Sequence, residues 1–197
     1  MEIFGNKINP KVFVIGVFHG DEPQGKFLIE NYLKVYSDTN LLMLPCLNHF
    51  GLNNNVRVNA NGVDLNRNYP TSNWELTEQN EFFGGKSPAS EKETRFIIDL
   101  VEKYSPEIIL TLHAPYKVVN FDGGKNGKYK NILEHISKIM KYPLEPSIGY
   151  PTPGSFGTWA GVERQISTIT LELDEEVDIS SLEKPVFEIF EFLEGVS

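Results

Sequence analysis

Two histidines and a glutamate have the types and spacing to hold a metal: His19 and Glu22 in Val17-Phe18-His19-Gly20-Asp21-Glu22, and His113 in Thr111-Leu112-His113-Ala114. An imidazole, a carboxylate three residues on and a distant second imidazole give a tetrahedral ion three protein ligands and leave one position for water. That is the pattern of a catalytic zinc; structural zinc sites are usually closed and cysteine-rich, and this chain has a single cysteine, Cys46. A short His-to-Glu spacing arises by chance in many proteins, so position must add to it. Lys11 to Phe18 is a continuous apolar, β-branched run that ends at His19, and Glu107 to Leu112 is a second run that ends at His113. Both read as strands buried on two faces. Ligands of open α/β sheets gather at the carboxyl ends of strands, where both imidazoles stand. His49, in a long loop, and His135, on an amphipathic helix, read instead as structural or solvated side chains.

The elements that must position these residues follow from periodicity. Glu22 to Tyr36 carries Phe27, Leu28, Tyr32, Leu33 and Val35 at helical spacing, with Pro23 suited to a first turn. Leu41 to Leu47 reads as a strand, and Ser90 with Glu93 has the pattern of a capping box opening a helix through about Lys103. Ile132, Ile136, Ile139 and Met140 mark a further amphipathic helix, Thr168 to Leu173 a strand, and Leu182 to Leu193 a closing helix. Strands alternating with helices predict an α/β fold: a mixed, mostly parallel sheet covered by helices on both faces. Asn48 to Lys86 and Leu144 to Gln165 are rich in Gly, Asn and Pro and fit no regular element. Loops of that length in a compact domain are usually functional.

With 197 residues and no internal repeat, the chain reads as one domain over residues 1–197. A formal net charge of −9 without a Lys/Arg-dense run argues against a nucleic-acid partner. No apolar run approaches the roughly 18 residues of a membrane span. The start, Met1-Glu2-Ile3-Phe4-Gly5-Asn6, lacks the basic and apolar regions of a secretory signal, and one cysteine fits a reducing compartment, so a cytoplasmic location is expected. The apolar neighbours of Cys46 make it a buried thiol rather than a nucleophile. Ala114-Pro115, directly after a ligand-bearing strand, is a candidate cis bond.

Gly62-Val63-Asp64-Leu65-Asn66-Arg67-Asn68-Tyr69-Pro70 is by composition a turn region, yet Arg67 offers a planar fork for a carboxylate and Asn66 adds donors beside it. Taken in order, HGDE, NHFGLNN, RVNANGVDLNRNYP, LHAP, YPTPGSFGTW and TLELD resemble the zinc carboxypeptidases of the M14 family over about Val12 to Asp174. Within that family LHAP and the PGSFGTW loop look most like the bacterial murein peptide amidases.

The resemblance implies one Zn2+ held by His19, Glu22 and His113, with Asp64 receiving the second ring nitrogen of His19. It makes Glu172 the catalytic general base and acid and Arg57 the oxyanion stabiliser, with Asn66 and Arg67 clamping the substrate's terminal carboxylate. Tyr150 corresponds to a substrate-capping tyrosine. Ser155, Phe156 and Thr158 fall on the loop that lines the leaving-residue pocket, with Asp122 close after LHAP. The implied substrate is a small peptide, a murein tripeptide cleaved between γ-D-glutamate and meso-diaminopimelate. Phe156 leaves open an apolar leaving residue, as in digestive carboxypeptidases. An aspartoacylase-like zinc deacylase, which shares the His-x-x-Glu pattern and an Asn-Arg pair, and a non-catalytic module that binds carboxylate-bearing peptides also remain open.

Overall fold

The sheet is built from short runs whose burial explains their placement. In the computed structural model, which describes residues 1–123, 127–146 and 149–196, β2 (Val12–Gly16), β3 (Leu42–Leu44) and β4 (Ile108–His113) are buried along their whole lengths. They form the middle of a seven-stranded sheet of order β1-β3-β2-β4-β7-β5-β6, completed by β1 (Phe4–Gly5), β5 (Val118–Asp122), β6 (Leu144–Glu145) and β7 (Ser167–Glu172). β2 runs parallel to β3 and β4, β4 to β7, and β5 to β6, whereas β1–β3 and β5–β7 are antiparallel. The mixed, mostly parallel sheet is the one expected.

Strand alternation sends side chains to two different cores. Val12, Val14, Ile108, Leu110, Leu112, Ile169 and Leu171 face one side, packed under α1 (Gln24–Val35), α4 (Gly127–Met140) and α5 (Glu183–Glu194) through Leu28, Ile29, Ile132, Ile136, Ile189 and Phe190. Phe13, Ile15 and Ile109 face the other, against α3 (Lys92–Tyr104) and a cluster containing Tyr69, Phe156 and Trp159. Among the described residues no helix is long and apolar enough to cross a membrane.

Several local expectations need correction. On α1 the buried face is made by Leu28, Ile29 and Tyr32, while Phe27 and Val35 are exposed. The Ser90/Glu93 capping box does not form. Ser90 Oγ donates to Glu91 and accepts from Asn68, Glu93 accepts from Asn59, and the backbone N–H of Glu91 donates to the Asn68 side chain. Partners from the preceding loop outbid the local cap, and the helix starts at Lys92. The segment Asn48 to Lys86 contains α2 (His49–Asn54), capped by Asn48 Oδ1 accepting from the Gly51 N–H at 2.9 Å, and a 3-10 turn at Leu65–Arg67. Leu144 to Gln165 holds β6 and a π-helical turn at Gly157–Glu163; within it, residues 147–148 lie outside those described. Ala114-Pro115 is cis. Cys46 is buried, and burial pushes its thiol up to about 11.

Candidate metal centre and active-site cleft

Three strand ends bring the chemistry together. β2 stops at Gly16, and the chain turns through Val17 in the left-handed region (φ 55) before presenting His19. Gly20 permits this turn to press against α2, where a Cβ would sit 1.9 Å from the Gly51 carbonyl carbon. β4 ends on His113, and the register sets it directly opposite Glu172 at the end of β7.

Glu22 ties the two imidazoles together. Its Oε1 lies 2.7 Å from His19 Nδ1 and its Oε2 2.9 Å from His113 Nδ1, and Oε2 also accepts from the Ala114 N–H at 3.2 Å. One ligand atom from each residue fits within a mutual 4.8 Å, close enough to share one ion. The remaining nitrogen of His19, Nε2, is 3.0 Å from Asp64 Oδ1, so the ring is gripped on the side away from the cluster. Asp64 is wholly buried; its Oδ1 also accepts from the Asn66 N–H at 2.8 Å, and its Oδ2 accepts two bonds from Arg57, at 3.0 and 2.8 Å. Phe18 stacks on His113 at 5.2 Å and 24°, fixing that ring's plane.

The electrostatics suit a cation. Burial alone would raise Glu22, but His19 and His113 beside it hold its carboxyl well below the usual range. Asp64 is likewise held low by His19 and Arg57 against the cost of burial. Burial opposes charge on His19, yet Glu22 and Asp64 outweigh it and raise the imidazole to about 9. Burial pulls His113 down, which favours its neutral form. One ionised carboxylate, Glu22, and two imidazoles, His19 and His113, make a donor set that fits zinc.

Glu172 stands apart from this network. It is 5% exposed, and its Oε2 is buried without a hydrogen-bond partner. Burial, with the Glu22 carboxylate nearby, pushes it up to about 8. A carboxyl that changes charge near neutrality can both take and return a proton.

A cleft of about 430 Å³ joins these groups. His19, Glu22, His113, Glu172, Arg57, Asn66, Arg67 and Tyr150 all line it, and Asp64 lies behind its wall. The Asn66 side-chain Oδ1 accepts from the Phe156 N–H at 2.9 Å, and Arg67 Nη1 donates to the Asn66 backbone carbonyl at 2.8 Å. Those bonds fix the pair on the cleft floor, and the Arg67 guanidinium lies 6.0 Å from the Tyr150 ring. Ser155 and Phe156 line an adjoining side cavity; Thr158, in the first turn of the π-helical segment, instead bonds Ser155 just before it. Phe156 packs between Phe18, Tyr69 and Trp159 as part of the core. Sequence reasoning missed Tyr116, Phe82, Asp21, Glu81 and Glu175, which complete the rim. Only Tyr116 carried a signal, its place just after LHAP.

Outside the site, His49 opens α2, and His135 stacks on Phe192 at 4.0 Å.

The sequence profile of the zinc carboxypeptidases, peptidase M14, matches residues 4–183. Murein peptide amidase A of Escherichia coli strain K12 is 28% identical over 183 residues, covering 86% of this chain and 73% of that protein. Its counterpart from Vibrio campbellii is 30% identical over 185 residues, covering 84% and 70%. Among solved structures, murein-tripeptide amidase of Escherichia coli O157 superposes with a TM-score of 0.82 at 25% identity, over 96% of this chain and 83% of that one. Thrombin activatable fibrinolysis inhibitor shares the fold at a TM-score of 0.74 and 16% identity, over 96% and 64%. A profile match over most of the chain, relatives at this identity and a shared fold together make the chain a hydrolase that belongs to the zinc carboxypeptidase family, peptidase M14.

Proposed function

We propose that this protein hydrolyses the amide bond before a carboxylate-bearing C-terminal residue, with the γ-D-glutamyl-meso-diaminopimelate bond of murein peptides as its substrate. The observation that carries the reading is Glu172, buried, unpartnered at Oε2 and opening into the same cleft as three convergent ligand atoms and a buried arginine. The relatives named murein peptide amidase support the choice of substrate.

His19, Glu22 and His113 would hold one zinc ion, with Asp64 orienting His19 through Nε2. A zinc ion held there would supply Lewis-acid chemistry for activating a water and polarising the scissile carbonyl. Arg67 and Asn66 take the terminal carboxylate of the leaving residue and so set the register of the peptide. Glu172 accepts the proton of the attacking water and returns one to the departing nitrogen, which its raised pKa suits. Arg57, locked by its two bonds to Asp64, presents its guanidinium to the oxyanion. Tyr150, half exposed at the rim, closes over the bound residue.

The test is incubation of zinc-loaded protein with L-Ala-γ-D-Glu-meso-diaminopimelate, with ordinary C-terminal dipeptides and with N-acylated amino acids. Release of diaminopimelate well above the other two rates is the expected result. Turnover confined to the acylated amino acids would replace the reading with a deacylase.

A further inference from the structure

One aromatic ring on the rim of the cleft has no place in either apolar core. Phe82 is 43% exposed and belongs to neither cluster, whereas its neighbour Phe83 is buried. A ring so exposed gains little from burial, so what it touches decides its role. It touches Arg57: the guanidinium carbon lies 5.1 Å from the centre of the Phe82 ring, within the reach of a cation–π interaction.

The loop beneath the ring is fixed in place. The Phe82 N–H donates to Asn80 Oδ1 at 2.8 Å and the Phe83 N–H to the Asn80 carbonyl at 3.1 Å, closing a turn. The Asp64 N–H then donates to the Phe83 carbonyl at 2.9 Å, and the Asn68 side-chain amide donates to the Gly84 carbonyl at 2.7 Å. Asp64 therefore holds Arg57 through its carboxylate and the loop that carries Phe82 through its backbone. One residue sets ring and guanidinium against each other.

The bonds to Asp64 leave a freedom that the ring removes. Nε and Nη2 of Arg57 both donate to the same oxygen, Asp64 Oδ2, so the guanidinium can pivot about it. Nη1 makes no bond to Asp64 and lies 3.7 Å from Glu22 Oε1, too far for a hydrogen bond, which leaves it as the donor for an incoming group. A ring against the guanidinium face limits the pivot and keeps water from that face without occupying a donor. A donor held in advance where charge develops is worth more than one that must be ordered during the reaction.

We propose that Phe82 is a positioning residue for hydrolysis: its ring holds the Arg57 guanidinium so that Nη1 meets the oxyanion. The proposal rests on the reading of the cleft as a carboxypeptidase site with Arg57 facing the oxyanion. Because that charge exists only in the transition state, a ring that acts through Arg57 changes kcat. A ring that only touched the acyl part of the substrate would change KM.

The experiment compares zinc-loaded wild type with Phe82→Leu, which keeps bulk but removes the π face, and Phe82→Tyr, which keeps both. In Phe82→Leu, kcat for release of diaminopimelate from L-Ala-γ-D-Glu-meso-diaminopimelate should fall about 3- to 30-fold, with KM within about twofold of wild type. Phe82→Tyr should recover most of that loss, and in an Arg57→Ala background Phe82→Leu should have no further effect. Alongside, NMR of zinc-free protein isotopically labelled on arginine follows the Arg57 Nε–H, which the ring should shift upfield. Phe82→Leu should abolish that shift and speed exchange of the proton with water. An unchanged kcat in Phe82→Leu, a loss confined to KM, a tyrosine variant as slow as the leucine one, or an Arg57 signal indifferent to the substitution overturns the proposal. Failure of wild type to release diaminopimelate would instead overturn the murein-peptide reading, and the NMR comparison would still judge the ring.

Discussion

β4 and β7 carry two unlike surfaces on the same backbone. Toward α1, α4 and α5 they present Ile108, Leu110, Leu112, Ile169 and Leu171, all within one apolar cluster. Toward the cleft, in the alternate positions, they present Thr111, His113, Thr170 and Glu172, and Glu172 ends in a buried oxygen without a partner. One residue of register separates the two sets, so strand alternation is what lets a dry core and a charged site occupy opposite sides of one strand. The apolar face stabilises the fold. The polar face holds groups that would be more stable elsewhere, and their cost is tolerated because the other face is complete.

The comparison breaks most visibly at Glu172. Glu172→Gln should lower the rate of amide hydrolysis by about 10²- to 10⁴-fold while zinc stays bound. The same substitution should make the zinc-free protein more stable, with a sign fixed by linkage. Burial pushes Glu172 up to about 8 in the folded state, against an ordinary glutamate value of 4.5. Between those values the folded state holds a proton that the unfolded state has lost, so this group removes stability as pH rises through that window. Thermal melts at pH 5 and pH 8 should show the glutamine variant gaining on wild type at the higher pH; a constant difference would mean that Glu172 is not a buried acid.

On the opposite face, Leu110→Ala should cost about 2–5 kcal/mol of stability by denaturant titration, with kcat nearly unchanged at a temperature where the variant is folded. A matching loss of kcat would show that the two faces are not separable. The smallest effect belongs to the support behind the ligands. Asp64→Asn should weaken zinc binding by about 10- to 100-fold, read by competition with a chromophoric chelator, because His19 loses its charged partner.

How far these surfaces could be read in the sequence differs between them. Continuous apolar runs announced β2, β3, β4 and β7, and helical spacing announced α1, α4 and α5, whereas α3 was expected from a capping box that does not form. β5 escaped, because Val118-Val119-Asn120-Phe121-Asp122 alternates polar residues into a short stretch beside a turn. Two of those polar residues, Asn120 and Asp122, line the side cavity. Ser90 and Glu93 misled for a related reason, since both bond to loop residues that no local pattern could foresee. His19, Glu22 and His113 were legible because strand ends and spacing suggested them independently of the family. Phe82 reaches the rim through loop geometry alone, whereas Tyr116 carried a signal in its place just after LHAP.

The central claim is that the polar strand ends form a catalytic zinc centre aimed at a peptide's last amide. Anomalous diffraction from crystals of Glu172→Gln soaked with zinc and L-Ala-γ-D-Glu-meso-diaminopimelate tests it most directly. The account predicts one zinc peak about 2.0–2.2 Å from His19 Nδ1, a Glu22 oxygen and His113 Nδ1, with the tripeptide uncleaved and its terminal carboxylate on Arg67. Zinc bound elsewhere, or a tripeptide seated away from residue 172, would contradict it.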